Sequence, residues 1–156
     1  MSALLNNLPR YRQMTEHDLD AVMAIEHVIY PHPWTRGNFN DSLRAGYHCL
    51  IMEAGGGIVG YTVVMIAADE AHLLNLSVAA QWHRGGFGRT LLQHVLAIAR
   101  DFQAGKIFLE VRPTNAAARG LYVDAGFSEI AVRRGYYPAP VGREDAIVLE
   151  LKLGSP

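Results

Sequence analysis

The apolar positions of this chain switch repeatedly between two periods. Tyr11 to Met14 has the length of a short edge strand, and Thr15-x-x-Asp18 behind it has capping-box spacing. Leu19, Val22, Met23 and Ile25 continue at helical spacing until Pro31 and Pro33 break the pattern. Thr35 is placed to cap a second short helix carrying Phe39 and Leu43. Tyr47 to Ala54 and the β-branched run Ile58 to Ala67 read as strands on either side of Gly55-Gly56-Gly57. Asp69-Glu70 turns into a further strand, His72 to Val78. Phe87, Leu91, Val95, Ile98 and Phe102 then recur every three or four residues, the apolar face of a long helix that Gly105 ends. Lys106 to Val111 is a strand, and Asn115 to Asp124 is an Ala-rich helix with Gly126 as its stop. Phe127 to Gly135 and Glu144 to Leu153 read as two last strands around a turn containing Pro138, Pro140 and Gly142.

The order β-α-α-β-β-β-α-β-α-β-β predicts an α/β (α+β) fold, a mixed sheet flanked by helices on both faces. At 156 residues, with no linker, repeat or low-complexity tract, the expectation is one domain, 1–156.

Composition removes several function classes. With 50% apolar and 19% charged residues the bulk of the chain is not disordered. A formal charge of −1 leaves no basic footprint for nucleic acid. The longest apolar stretch, Ile58 to Ala68, is about half the ~20 residues of a spanning helix. Residues Met1 to Arg12 lack a signal-peptide pattern, so a soluble cytoplasmic protein is expected, with no membrane partner. Cys49 is the sole cysteine and sits in an apolar strand, which excludes an intrachain disulfide and marks it as a core residue. No His-Glu-x-x-His, cysteine pair or Gly-x-Ser-x-Gly occurs, so neither a metal site nor a serine hydrolase is expected.

The candidate chemistry begins at His83-Arg84-Gly85-Gly86-Phe87-Gly88-Arg89, between a strand and the long helix. Converging backbone N–H groups, a helix N-terminus and two arginines suit a phosphate or pyrophosphate, though a tight turn with solvated arginines has the same sequence. It is neither a P-loop nor a dinucleotide fingerprint. Glu110, between Leu109 and Val111, faces opposite to both and is either a half-solvated strand residue or an acid–base group. Tyr122 lies seven residues after Asn115, two turns along the same helix face, and is either a core tyrosine or a proton donor.

Taken together, the Gly-rich turn and the run Asn115, Ala118, Leu121, Tyr122, Gly126, Phe127 resemble the GNAT superfamily of acetyl-CoA-dependent N-acetyltransferases. That loop begins with Gln or Arg in the family and with His83 here. Pro33-Trp34-Thr35, Asp69-Glu70-Ala71 through Leu76, Leu109-Glu110-Val111-Arg112, and Arg133-Arg134 through Tyr136-Tyr137-Pro138 to Ala146 are most similar to bacterial ribosomal-protein-alanine N-acetyltransferases. The resemblance implies a mixed, mostly antiparallel sheet of about six to seven strands. It implies transfer of acetyl from acetyl-CoA, as co-substrate, directly to the N-terminal alanine of a small-subunit ribosomal protein, without a cysteine intermediate. Glu110 would be the general base and Tyr122 the general acid. Acetyl-CoA would bind in the splay between the third and fourth core strands. The loop from His83 through Arg84, Gly85, Gly86, Phe87 and Gly88 to Arg89 would cradle the pyrophosphate. Leu76, Ser77, Val78 and Asn115 would hold the pantetheine arm and thioester, and Trp34, Tyr136 and Tyr137 would line the peptide cleft. Glu144 and Asp145 would meet basic substrate residues or pair with Arg143. A monomer is expected. A small amine or lysine side chain as acceptor, or a non-catalytic acyl-CoA-binding module, are the competing readings.

Overall fold

The computed structural model describes residues 8–154. Seven strands form one sheet in the order β1-β2-β3-β4-β5-β7-β6. They are β1 (Arg10–Gln13), β2 (His48–Ala54), β3 (Gly57–Ala67), β4 (Glu70–Val78), β5 (Lys106–Val111), β6 (Ser128–Pro138) and β7 (Arg143–Lys152). The helices are α1 (Leu19–Ile29), α2 (Arg36–Arg44), α3 (Phe87–Asp101) and α4 (Ala116–Asp124). The order of elements is the one the sequence pattern predicts. β1–β2, β2–β3, β5–β7 and β6–β7 are antiparallel, and β4–β5 is parallel.

The chain divides into two compact units. One takes the chain up to Met65 together with Asn75–Val95, and the other takes Ile66–Leu74 with the chain from Leu96 onward. In the first, Asp18 opens α1 and its carboxylate takes two bonds from the Arg12 guanidinium, at 2.8 and 2.9 Å. The same carboxylate accepts from Thr15 N at 2.8 Å, the return half of the capping box. Met52, Ala54, Val59 and Leu91 form a core cluster lined by Tyr11, Leu76, Val78, Trp82 and Phe87. Cys49 is buried, as expected of it, and burial pushes its thiol up to about 11. A polar chain also runs through this interior. Glu26, 1% exposed, accepts from Tyr61 Oη (2.8 Å), Asn75 Nδ2 (3.2 Å) and Trp34 N (2.9 Å), which satisfies a carboxylate that burial would otherwise penalise.

In the second unit β7 lies between β5 and β6, and Ala146 through Leu149 are buried in succession, as a strand covered on both faces requires. β5 alternates instead, with Ile107, Leu109 and Val111 buried and Glu110 on the other row. Gly126 ends α4 at φ +104°, with Phe127 N on Tyr122 O and Gly126 N on Val123 O, a Schellman ending at the predicted residue. The end of α3 differs from expectation. Gln103, not Gly105, takes the left-handed position (φ +63°), with Ala104 N on Ala99 O and Gln103 N on Arg100 O. Phe102 therefore falls beyond the last helical residue and is exposed rather than in the apolar face.

Candidate active site

Glu110, on β5, is the carboxylate among the predicted catalytic residues. Its alternation with Leu109 and Val111 puts it on the row of Lys106 and Phe108. The parallel ladder pairs Glu70–His72 with Lys106–Phe108, so His72 stands beside Phe108. Their rings stack at 4.2 Å, and His72 Nε2 lies 2.8 Å from Glu110 Oε1. From β6, Tyr136 donates to the same oxygen at 3.4 Å, and Arg133 Nε lies 3.9 Å from Oε2, too long for a hydrogen bond. The Glu110 side chain is 7% exposed, and Oε2 is buried with no hydrogen-bond partner among the described residues. Burial alone pushes this carboxyl up. The bond and electrostatic pull of His72, then Arg133 and Tyr136, outweigh it and hold the group below the ordinary carboxylate range. The result is an ionised carboxylate with Oε1 engaged and Oε2 buried without a hydrogen-bond donor among the described residues.

His72 was absent from the residues singled out in the sequence. The signal lay in strand pairing: a parallel register puts β4 residue 72 opposite β5 residue 108 and within reach of residue 110. Nothing in the spacing of either strand alone reveals that register.

Tyr122 and Asn115 both sit on α4 as expected. Asn115 is its N-cap, with Oδ1 accepting from Ala118 N at 3.2 Å. Tyr122 is buried, with its ring edge-to-face against Phe127 at 5.5 Å.

The tyrosine pair lies on a strand rather than in the turn, because β6 runs on through Pro138, pairing Tyr137 with Glu144 and Pro138 with Arg143. Tyr136 turns to Glu110, whereas Tyr137 lies under Arg112, whose guanidinium carbon is 4.4 Å from the ring centroid. Glu144 does not pair with Arg143. It binds Arg112 Nη1 (3.0 Å) and Thr114 Oγ1 (2.7 Å), and these bonds hold its carboxyl low. Arg143 and Asp145 serve a bulge between Arg133 and Tyr137: Arg143 Nε donates to Gly135 O (2.6 Å), and Asp145 accepts from Gly135 N (2.8 Å). The ion pair with Arg143 expected of Glu144 and Asp145 is thus replaced by bonds to Arg112, Thr114 and Gly135.

The first unit carries the Gly-rich loop. Gly86 takes φ +79° just before α3, whose first N–H groups have no acceptor within the helix. Trp82 and Phe87 close the loop from inside, edge-to-face at 5.2 Å. His83 folds back on its own chain, Nε2 donating to Val78 O at 2.6 Å. Against the same strand the Tyr30 hydroxyl lies 2.7 Å from Ser77 Oγ and donates to Leu76 O at 3.2 Å, while Ser77 Oγ donates to Asn75 Oδ1 at 2.7 Å. The Ser77 side chain is therefore consumed internally, and Leu76 and Val78 pack into the core cluster; what this strand can offer a ligand is main chain. Burial pushes the Tyr30 hydroxyl up to about 12. Trp34 is half-buried, its N–H on Glu26 and its ring 5.0 Å from Phe39.

Among the described residues no group of three or more His, Cys, Asp or Glu could hold a metal ion, and no helix is long and apolar enough to cross a membrane.

Residues 19–127 match the model of the acetyltransferase (GNAT) family. The [ribosomal protein bS18]-alanine N-acetyltransferase of Escherichia coli K12 is 35% identical over 136 residues, spanning 87% of this chain and 92% of that protein. The crystal structure of the ribosomal-protein-S18-alanine N-acetyltransferase from Escherichia coli superposes with a TM-score of 0.88 at 32% identity, over 96% of each chain. A chain of the NatC complex, solved bound to Gag peptide and CoA, shares the fold at 18% identity with a TM-score of 0.81, over 94% of this chain and 99% of its own.

Proposed function

Because this chain belongs to the acetyltransferase (GNAT) family, we propose that it moves acetyl from acetyl-CoA to the N-terminal alanine of a small-subunit ribosomal protein. The observation that carries the acceptor side is the unpaired Oε2 of Glu110, a buried acceptor in want of a donor. An acceptor amine places an N–H there, and its proton passes to the carboxylate as nitrogen attacks the thioester carbonyl. The C–N bond forms, the C–S bond breaks, and the Tyr122 hydroxyl returns a proton to sulfur. Acetyl-CoA supplies the activated acyl group, with its pyrophosphate on the 83–89 loop and its pantetheine on the main chain of residues 76–78.

The state of Glu110 favours an α-amine over a lysine. A carboxylate held below its ordinary range is a weak base. An α-amino group near pKa 7.7–8.0 gives up its proton far more readily than a lysine near 10.4. The 35% identity to the bS18-alanine enzyme supports the same acceptor, and action on a ribosomal protein would call for a cytoplasmic enzyme.

The test uses two peptides, purified protein and acetyl-CoA, read by intact mass. One peptide bears the free N-terminal alanine of the ribosomal target; the other has a blocked terminus and one exposed lysine. Acetyl on the free terminus alone is the expected result. Acetyl on the lysine peptide would replace this reading with a side-chain acetyltransferase. Acetyl on neither, with acetyl-CoA bound, would point to a small-amine acceptor or a non-catalytic module.

A further inference from the structure

We propose that His72 is a positioning residue for Glu110, engaging Oε1 so that Oε2 alone is presented to the acceptor amine. The inference rests on the reading of Glu110 as the proton acceptor.

Two restraints fix the imidazole. Its face lies on Phe108, with ring centroids 4.2 Å apart and planes 21° apart, and its Nε2 lies 2.8 Å from Glu110 Oε1. Toward an ionised carboxylate that nitrogen must be the donor, which fixes a proton on Nε2. The other groups facing Glu110 hold it loosely. From β6 come Tyr136 at 3.4 Å, Arg133 at 3.9 Å, and Tyr137, which acts through its electrostatic field. From β7 the residue in register is Val148, which is apolar. His72 thus makes the single short bond to this carboxylate among the described residues. A buried carboxylate with two equivalent oxygens would otherwise be free to turn either one toward an acceptor. When the amine proton arrives on Oε2, the Nε2–H bond to Oε1 persists, and the orientation survives the transfer.

The sign of the pH effect follows. Glu110 must be ionised to accept the proton, so activity falls as pH drops through its pKa. His72 is the chief influence lowering that pKa against burial. Without it the acidic limb of kcat/KM moves to higher pH.

The experiment compares wild type, H72F, H72Q and E110Q with the alanine-terminated peptide. H72F keeps a flat ring on Phe108 but no donor; H72Q keeps an amide donor but no ring. For H72F we expect kcat to drop about tenfold and the acidic limb to rise by roughly one pH unit, with KM for acetyl-CoA within about twofold of wild type. For H72Q most of kcat returns. If H72F loses acetyl-CoA binding, H72L takes its place as the donor-free variant. A donor-free variant with the wild-type kcat and acidic limb, beside an inactive E110Q, overturns the role of His72 alone. A fully active E110Q overturns the assignment of Glu110 and this inference with it.

Discussion

The guanidinium of Arg112 covers the Tyr137 ring at 4.4 Å while bonding Glu144 Oε1 at 3.0 Å and the Pro138 carbonyl at 2.7 Å. One residue just past β5 therefore fixes the position of a tyrosine two strands away in the sheet order. If Tyr137 lines the peptide cleft, R112A raises KM for the peptide about three- to tenfold through the lost cation–π contact and bonds, and leaves KM for acetyl-CoA alone. Initial-rate kinetics in both substrates checks this. An unchanged peptide KM would remove Tyr137 from the cleft.

Tyr122 is buried against Phe127, so the phenyl ring of Y122F fills the same space. If Tyr122 is the general acid, the expected outcome is a loss of turnover of about a hundredfold with acetyl-CoA affinity retained, since the variant removes only the hydroxyl. Calorimetric titration with acetyl-CoA beside steady-state rates makes the comparison. Wild-type turnover would mean that the thiolate finds its proton elsewhere.

Stability should carry the signature of Asp18. The bond from Arg12 holds its carboxyl below the ordinary value, against the upward push of burial and with further help from Thr15. A depressed folded-state pKa contributes stability that is fully present above the unfolded value near 3.9 and is lost as pH falls through the folded one. D18N therefore lowers stability by about 1–2 kcal/mol at pH 7, and the gap to wild type closes as pH drops below about 4. Thermal unfolding at pH 7 and pH 3 is the measurement, and an equal gap at both would exclude the ionic origin.

Two glycines should respond differently to alanine. At Gly60 a Cβ would stand 2.5 Å from the main-chain oxygen of Ser77, which has nowhere to yield, so G60A costs about 3 kcal/mol. At Gly86 a Cβ meets nothing within 4 Å, and the cost is the left-handed backbone alone, about 1–2 kcal/mol. Chemical denaturation of both variants orders them, and a reversed order would refute the close approach at Gly60.

Much of this was legible in the chain because local rules govern it. The order of elements follows from period switching, the Gly126 ending from a C-terminal glycine, and the placement of Glu110 from strand alternation. What escaped depends on pairing between distant segments. His72 meets Glu110 only through the β4–β5 register, and Glu144 meets Arg112 only because β7 returns beside β5. Phe102 misled for a different reason: Gln103 adopted a conformation that composition assigns to glycine, which ended the helix before the periodicity ran out. Arg143 and Asp145 looked like surface charges because a bulge has no sequence mark until its partner strand is known.

β6 is the last strand in the sheet order, and all but one of its residues are exposed. An open edge of that length is a template on which other chains can polymerise. Here its ladder slips twice, between Glu129 and Ala131 and between Arg133 and Tyr137, adjacent arginines stand at 133 and 134, and it finishes in proline. Each slip spoils the straight row of donors and acceptors that a fibril would copy. The side chains that clamp the second slip, Arg143 and Asp145, thereby act as guards against aggregation, and their loss should cost the protein its solubility before it costs the protein its fold.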